Sequence, residues 1–122
     1  MYDALKVKHL LGKIADSIEI VLARCANVSD VNDFMNSLEG MLLLDGTCMK
    51  LIAIGESVKN LDKVTNGELL PQYSEIPWRE VMGMRDIIVH HYFEIDADVI
   101  FATIKENIPL LLTVVKKMER DI

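Results

Sequence analysis

The sequence predicts an all-α protein, an antiparallel four-helix bundle with one additional short helix, and three observations carry that prediction. Apolar residues recur at three- and four-residue steps through long segments, the period of a single helix face. Only one connection is long, and short connections between helices make antiparallel neighbours. The chain has 122 residues, 51% of them hydrophobic. That is enough for one core without metal or disulfide staples, so a single domain over residues 1–122 is expected.

The first helix is expected over about residues 2–26, with Leu10, Leu11, Ile14, Ile18, Val21, Leu22 and Cys25 on its apolar face. Lys6, Lys13, Asp16, Glu19 and Arg24 take the other side. Asn27-Val28-Ser29-Asp30 supplies turn chemistry, with Ser29 as the N-cap of a short helix through Phe34 and Met35. A second long helix follows over about residues 36–61. It holds Gly40, Gly46 and Gly55, and since each glycine costs about 1 kcal/mol against alanine inside a helix, close helix packing is the expected return. Residues 65–77 form the one long loop, marked by Asn66-Gly67, Pro71 and Pro77. Pro77 suits the first turn of a third helix running from Trp78 towards Tyr92. Asp96 caps a fourth, which continues to about Arg120 and is kinked at Pro109.

A formal net charge of −6 argues against a generic polyanion-binding surface, because non-specific nucleic-acid affinity is mostly phosphate neutralisation by Lys and Arg. Any nucleic acid must be gripped locally, in a cleft. Cys25 and Cys48 each sit among apolar residues at helical spacing and read as small core hydrophobes, giving neither a disulfide framework nor a zinc site. Free buried thiols suit a reducing cytoplasm. The opening MYDALKVKHLLGKIADSIEI is broken by charges every few residues, so no targeting signal or membrane span is expected. The runs Met41-Leu42-Leu43-Leu44 and Leu110-Leu111-Leu112 point side chains around most of a helical turn. Either they lie deep inside one bundle or they form a self-association surface; the homodimer is the expectation carried forward.

Reactive residue types gather in Arg85-Asp86-Ile87-Ile88-Val89-His90-His91-Tyr92. On a straight helix Arg85 and Tyr92, seven apart, share a face. Asp86 and His90, four apart, share another, which allows Asp86 to orient or charge-stabilise the imidazole. Arg85 and His90 lie about 140° apart at 100° per residue. They converge on one substrate only if the helix end opens or a second copy of the chain supplies the other wall. The bland alternative is a set of surface charges complementing a helix C-terminus. His90 and His91 are adjacent rather than four apart, and no HExxH or CxxC is present, so no metal site and no cofactor are expected. Gly-rich phosphate loops and Gly-x-Ser-x-Gly elbows are absent as well. His9 is isolated in the first helix.

The segment 75–96, EIPWREVMGMRDIIVHHYFEID, resembles the signature stretch of HepT-like proteins, a branch of the HEPN superfamily of helical RNases. Upstream, Ile54-Gly55-Glu56-Ser57-Val58-Lys59 resembles the second recurrent motif of that family. The HEPN pattern is an Arg, four to six residues, then a His, and the HepT branch adds a Tyr two beyond the His. Arg85, His90 and Tyr92 match it in full. The resemblance implies a homodimeric bundle whose two motifs face a shared cleft, and metal-independent RNA cleavage with Arg85, His90 and Asp86 as catalytic residues. It also implies a toxin role, neutralised by an MNT-type nucleotidyltransferase antitoxin that attaches AMP to Tyr92.

That chemistry suits the residue types. RNA carries its own nucleophile, the 2′-hydroxyl, so one group that moves protons and one that stabilises charge on phosphorus suffice. An imidazole with an ordinary pKa of about 6.5 can do the first and contributes typically ~10²–10⁴ in rate. A guanidinium offers a permanently charged fork for the second. Two readings from other classes stand beside the toxin: a non-catalytic helical partner or nucleotide-binding subunit of a nucleotidyltransferase, and a purely structural helical dimer.

Overall fold

A computed structural model describes residues 2–122 of the chain. Six α-helices account for most of it: α1 (Ala4–Arg24), α2 (Asn32–Met35), α3 (Leu38–Val64), α4 (Trp78–His90), α5 (Ala97–Ala102) and α6 (Ile108–Asp121). No strand occurs among the described residues, so the all-α expectation holds. None of these helices is long and apolar enough to cross a membrane.

Local chemistry explains where the long helices begin. The Asp3 carboxylate accepts from the Leu5 and Lys6 amides at 3.0 and 3.3 Å, satisfying donors that a helix start leaves orphaned. The Ser37 hydroxyl does the same for Gly40 at 2.9 Å, and Asp96 for Asp98 at 2.9 Å. The end of α3 is closed by Asn66 and Gly67, both at positive φ, with the Gly67 amide returning to the Asp62 carbonyl at 2.9 Å. The loop after it is fastened at its far end, where the Trp78 indole donates to the Tyr73 carbonyl and the Tyr73 phenol to Asp121 of α6, both at 2.8 Å. Burial, and then that hydrogen bond, push the Tyr73 phenol up to about 12, so it stays a donor throughout the physiological range.

Val7, Leu11, Ile14, Ile18 and Val21 of α1 are buried, and the same hydrophobic cluster takes in Leu51, Ile54 and Val58 of α3 and Leu111, Val115 and Met118 of α6. Three helix pairings organise it. Helix α1 packs on α3, where the Cys25 thiol meets the Thr47 hydroxyl at 3.4 Å, and on α6, where Lys116 pairs with Glu19 at 3.2 Å. Helix α4 lies along α3. The two cysteines are free and buried.

Four expectations need correction. Ser29 is not an N-cap. The Asp33 carboxylate instead collects the Ser29 amide and hydroxyl and the Asp30 amide, so the turn is closed from its far side and α2 starts after Val31. Pro77 precedes α4 as its N-cap instead of lying in the first turn. Helix α4 stops at His90, and Tyr92–Glu94 form a 3-10 turn, so Tyr92 leaves the helix. The last helix is not one α-helix from Asp96: a π-helical turn, Thr103–Asn107, separates α5 from α6, and Pro109 stands in the first turn of α6.

The glycines of α3 divide by what faces them. A Cβ on Gly40 would fall on the Asp33 carbonyl oxygen and 2.9 Å from that of Phe34, whereas one on Gly46 would meet nothing within 4 Å. Close packing therefore accounts for Gly40 but not for Gly46. Gly40→Ala should destabilise the chain by about 1–3 kcal/mol through backbone overpacking, and Gly46→Ala should stabilise it by about 0.5–1 kcal/mol. Urea unfolding of the two variants beside the parent checks both signs.

Candidate active site

The geometry is set where α3 and α4 touch. A Cβ on Gly55 would lie 3.0 Å from the Val81 carbonyl oxygen and 3.5 Å from the Arg85 amide, so glycine lets the two backbones meet there. The next residue, Glu56, then reaches Arg85, its Oε1 standing 3.1 Å from Nε. On the other side Asp86 Oδ1 lies 3.0 Å from Nη1. The guanidinium is thus clamped between two carboxylates through Nε and Nη1, and Nη2 makes no hydrogen bond or ion pair among the described residues. Its side chain keeps 40% of its exposure, open enough to meet a phosphate. The Ile54–Lys59 stretch acquires a physical reason here: Gly55 provides the approach and Glu56 the ion pair.

Asp86 therefore engages Arg85, and no hydrogen bond joins it to His90 among the described residues. The hydrogen bond from Arg85 holds the Asp86 carboxyl below its ordinary value, partial desolvation opposing; Lys59 and His90 add only weaker electrostatic pull. His90 is the exposed last residue of α4, and His91 is the exposed residue that ends the helix. Because α4 stays regular through His90, the separation of about 140° between Arg85 and His90 stands.

The 3-10 turn takes Tyr92 off helix α4, yet its side chain, like that of Arg85, reaches α3. Its phenol donates to Asp45 Oδ1 of α3 at 2.8 Å, and its ring meets Phe93 edge-on with centroids 5.8 Å apart. Asp45 and Glu56, the anchors of Tyr92 and Arg85, are eleven residues apart on α3, about 16 Å along its axis at 1.5 Å per residue. The hydrogen bond to Asp45, then desolvation, raise the Tyr92 phenol above its ordinary value.

Around these groups the surface is apolar. Ile87 and Val89 of α4 are exposed at 62% and 44%, Phe93 fully, and Leu42 and Met49 of α3 at 72% and 66%. A groove of about 460 Å³ between α4, α5 and α6 is lined by Met84, Ile87, Val99 and Leu110, and by none of Arg85, Asp86, His90 or Tyr92. Among the described residues no group of three or more His, Cys, Asp or Glu is placed to hold a metal ion. Asp45 is a site residue that the sequence does not single out, and Glu56 stands in the Ile54–Lys59 motif without a role that the sequence assigns. On a helical wheel each looks like one more solvated charge.

An all-helical chain with Arg85 and His90 on α4 and Tyr92 in the turn after it fits the class of HEPN-type helical proteins. Residues 14–118 match the family described as "Ribonuclease HepT-like", and the chain belongs to that HepT-like family. It is 39% identical over 113 residues to the "Probable ribonuclease HepT" of Thermococcus cleftensis, covering 93% of this chain and 96% of that one. It is 33% identical over 108 residues to "Putative RNase TTE0752" of Caldanaerobacter subterraneus subsp. tengcongensis, covering 88% and 89%. A third relative, from Methanocaldococcus jannaschii, bears the name "Gamma-glutamylcyclotransferase and putative RNase MJ0434". It is 31% identical over 116 residues, which span 95% of this chain but 49% of that longer protein. No solved structure matches the chain.

The clamp makes a direct prediction. Removing the guanidinium in Arg85→Ala should return the Asp86 midpoint upward, towards the ordinary aspartate value of about 3.9. In the parent the pair is intact above that value and is lost as pH falls through the lower, folded midpoint. Carboxyl-detected NMR titration reads both midpoints, and an unchanged Asp86 in the variant would contradict the pairing.

Proposed function

We propose that the chain is a metal-independent endoribonuclease toxin of a HEPN/MNT toxin–antitoxin system, an antiparallel four-helix bundle acting as a homodimer in the cytoplasm. The observation that carries the proposal is Arg85 held in an open clamp five residues before an exposed His90 at the end of α4. In this reading His90 moves the proton of the RNA 2′-hydroxyl or of the leaving oxygen. Arg85 stabilises the charge on the non-bridging oxygens through its free Nη2 edge, and Asp86 keeps the fork in place.

The same geometry supports a homodimer. One copy of a regular α4 cannot turn Arg85 and His90 towards a single phosphate, whereas two copies facing each other can pair the Arg of one with the His of its partner. The exposed Ile87, Val89, Phe93 and Leu42 supply apolar surface to cover. Control is assigned to Tyr92, as acceptor of AMP from an MNT-type nucleotidyltransferase antitoxin. Because its phenol stands at the Asp45 end of α3, the adduct excludes RNA by bulk and negative charge at the mouth of the cleft.

A second reading, a non-catalytic helical partner of a nucleotidyltransferase, is favoured by one observation: Arg85 is already matched by two carboxylates in a chain of net charge −6. An RNA-cleavage assay separates the two. Cleavage should persist in EDTA and leave 2′,3′-cyclic phosphate ends, and Arg85→Ala and His90→Ala should each lower turnover by at least ~10² with unchanged helix content. Loss of activity on chelation, or full activity in either variant, would overturn the mechanism. Light scattering should give twice the 13.8 kDa chain mass at micromolar concentration.

A further inference from the structure

We propose that Asp45 is the proton acceptor when the Tyr92 phenol takes up a nucleotidyl group, a role that rests on Tyr92 being the modified residue. The two groups come from elements 47 residues apart in sequence, and the phenol already donates its hydrogen to Asp45 Oδ1 at 2.8 Å. Tyr92 keeps 44% of its exposure and Asp45 is exposed too, so a nucleotide donor can approach the oxygen and the carboxylate can pass its proton on to water.

The atoms balance as follows. The phenolic oxygen forms a bond to the α-phosphorus of a nucleoside triphosphate as the bond to pyrophosphate breaks. The phenolic O–H bond breaks with it, and the proton moves to Asp45 Oδ1 and then to solvent. A carboxylate is about six pK units too weak to ionise a resting phenol. Transfer therefore occurs only as the new P–O bond makes that oxygen acidic, which is the situation in which a positioned general base contributes, typically ~10²–10⁴.

The surroundings leave the reaction little other choice. The raised Tyr92 midpoint keeps the phenolate scarce at neutral pH, so attack by a pre-formed phenolate is slow. The other titratable group acting on the phenol, the Cys48 thiol beside Asp45 on α3, is pushed up to about 11 by burial and then by Asp45, and stays protonated as well. Asp45 is thus the base that the geometry supplies.

The test needs no partner protein. The full chain is incubated with adenosine 5′-phosphorimidazolide, an activated AMP donor whose leaving group is imidazole, and AMP on the Tyr92 peptide is followed by mass spectrometry. Tyr92→Phe gives the background. The parent should be labelled at Tyr92, and Asp45→Asn, which preserves size and can still accept a hydrogen bond, should be labelled at least tenfold more slowly. The rate of Asp45→Asn relative to the parent at the same pH, a ratio in which the ionisation of the donor cancels, should climb about tenfold per pH unit as phenolate appears. A merely structural role for Asp45 would lower the rate without changing its pH dependence. Equal rates or parallel pH profiles in parent and Asp45→Asn would overturn the role of Asp45 while leaving Tyr92 as acceptor. Parent labelling no greater than that of Tyr92→Phe would overturn the acceptor itself, and the two failures are thereby distinct.

Discussion

The contact that the rest of the site depends on is the one between the backbones of α3 and α4 at Gly55. With no Cβ there, α4 comes to 3.0 Å of where a side chain would begin. That proximity lets a glutamate one residue later reach Nε of an arginine on the neighbouring helix. A larger residue at Gly55 would have to push α4 outward, and the ion pair, the aim of the guanidinium and the position of the α4 terminus would shift together. In exposed surroundings the Glu56–Arg85 pair adds little to stability. Its effect is directional: it fixes which edge of the fork faces out.

The helices were legible in the sequence because their apolar period and their caps agree. Asp96 is the cap that the sequence predicts, and Asn66-Gly67 stands in the predicted loop, although α3 runs on to Val64, past its expected end near residue 61. What stayed hidden depended on partners distant in the chain or on two equally good local choices. Ser29 and Asp33 can each close the turn before α2, and the carboxylate, with more acceptor capacity, collects both donors of Ser29. Nothing near Tyr92 marks the end of α4: no glycine or proline stands between Arg85 and Asp96. The phenol meets Asp45, 47 residues away, and a one-dimensional reading of helix faces cannot contain such a contact. The residue types of the site were legible, therefore, but their partners on α3 were not. Gly46 carries a helix cost for which nothing in its surroundings gives a reason.

The two anchors on α3 divide the end of α4 into separate chemical regions. Glu56 holds Arg85 near the middle of α3, and Asp45 holds Tyr92 nearer its start. His90, Val89 and the fully exposed Phe93 occupy the α4 terminus and the turn after it. A phosphate and a nucleotide donor can therefore approach different parts of one surface without competing for the same atom. In the proposed reading, this arrangement lets one short segment carry both a group that acts on RNA and a group that is acted upon.

The carboxylate clamp also has a thermodynamic consequence. A polyanion bound by a basic patch gives up condensed counterions, and its affinity falls steeply as salt rises. Arg85 with Glu56 and Asp86 forms a cluster of net charge −1, on a chain whose formal total is −6. Seating one phosphate there releases few ions, so ionic strength has little leverage on the encounter. In the proposed reading, selection among RNAs then falls to the shape and conformation of the strand that can present a phosphate edge-on to one fixed guanidinium.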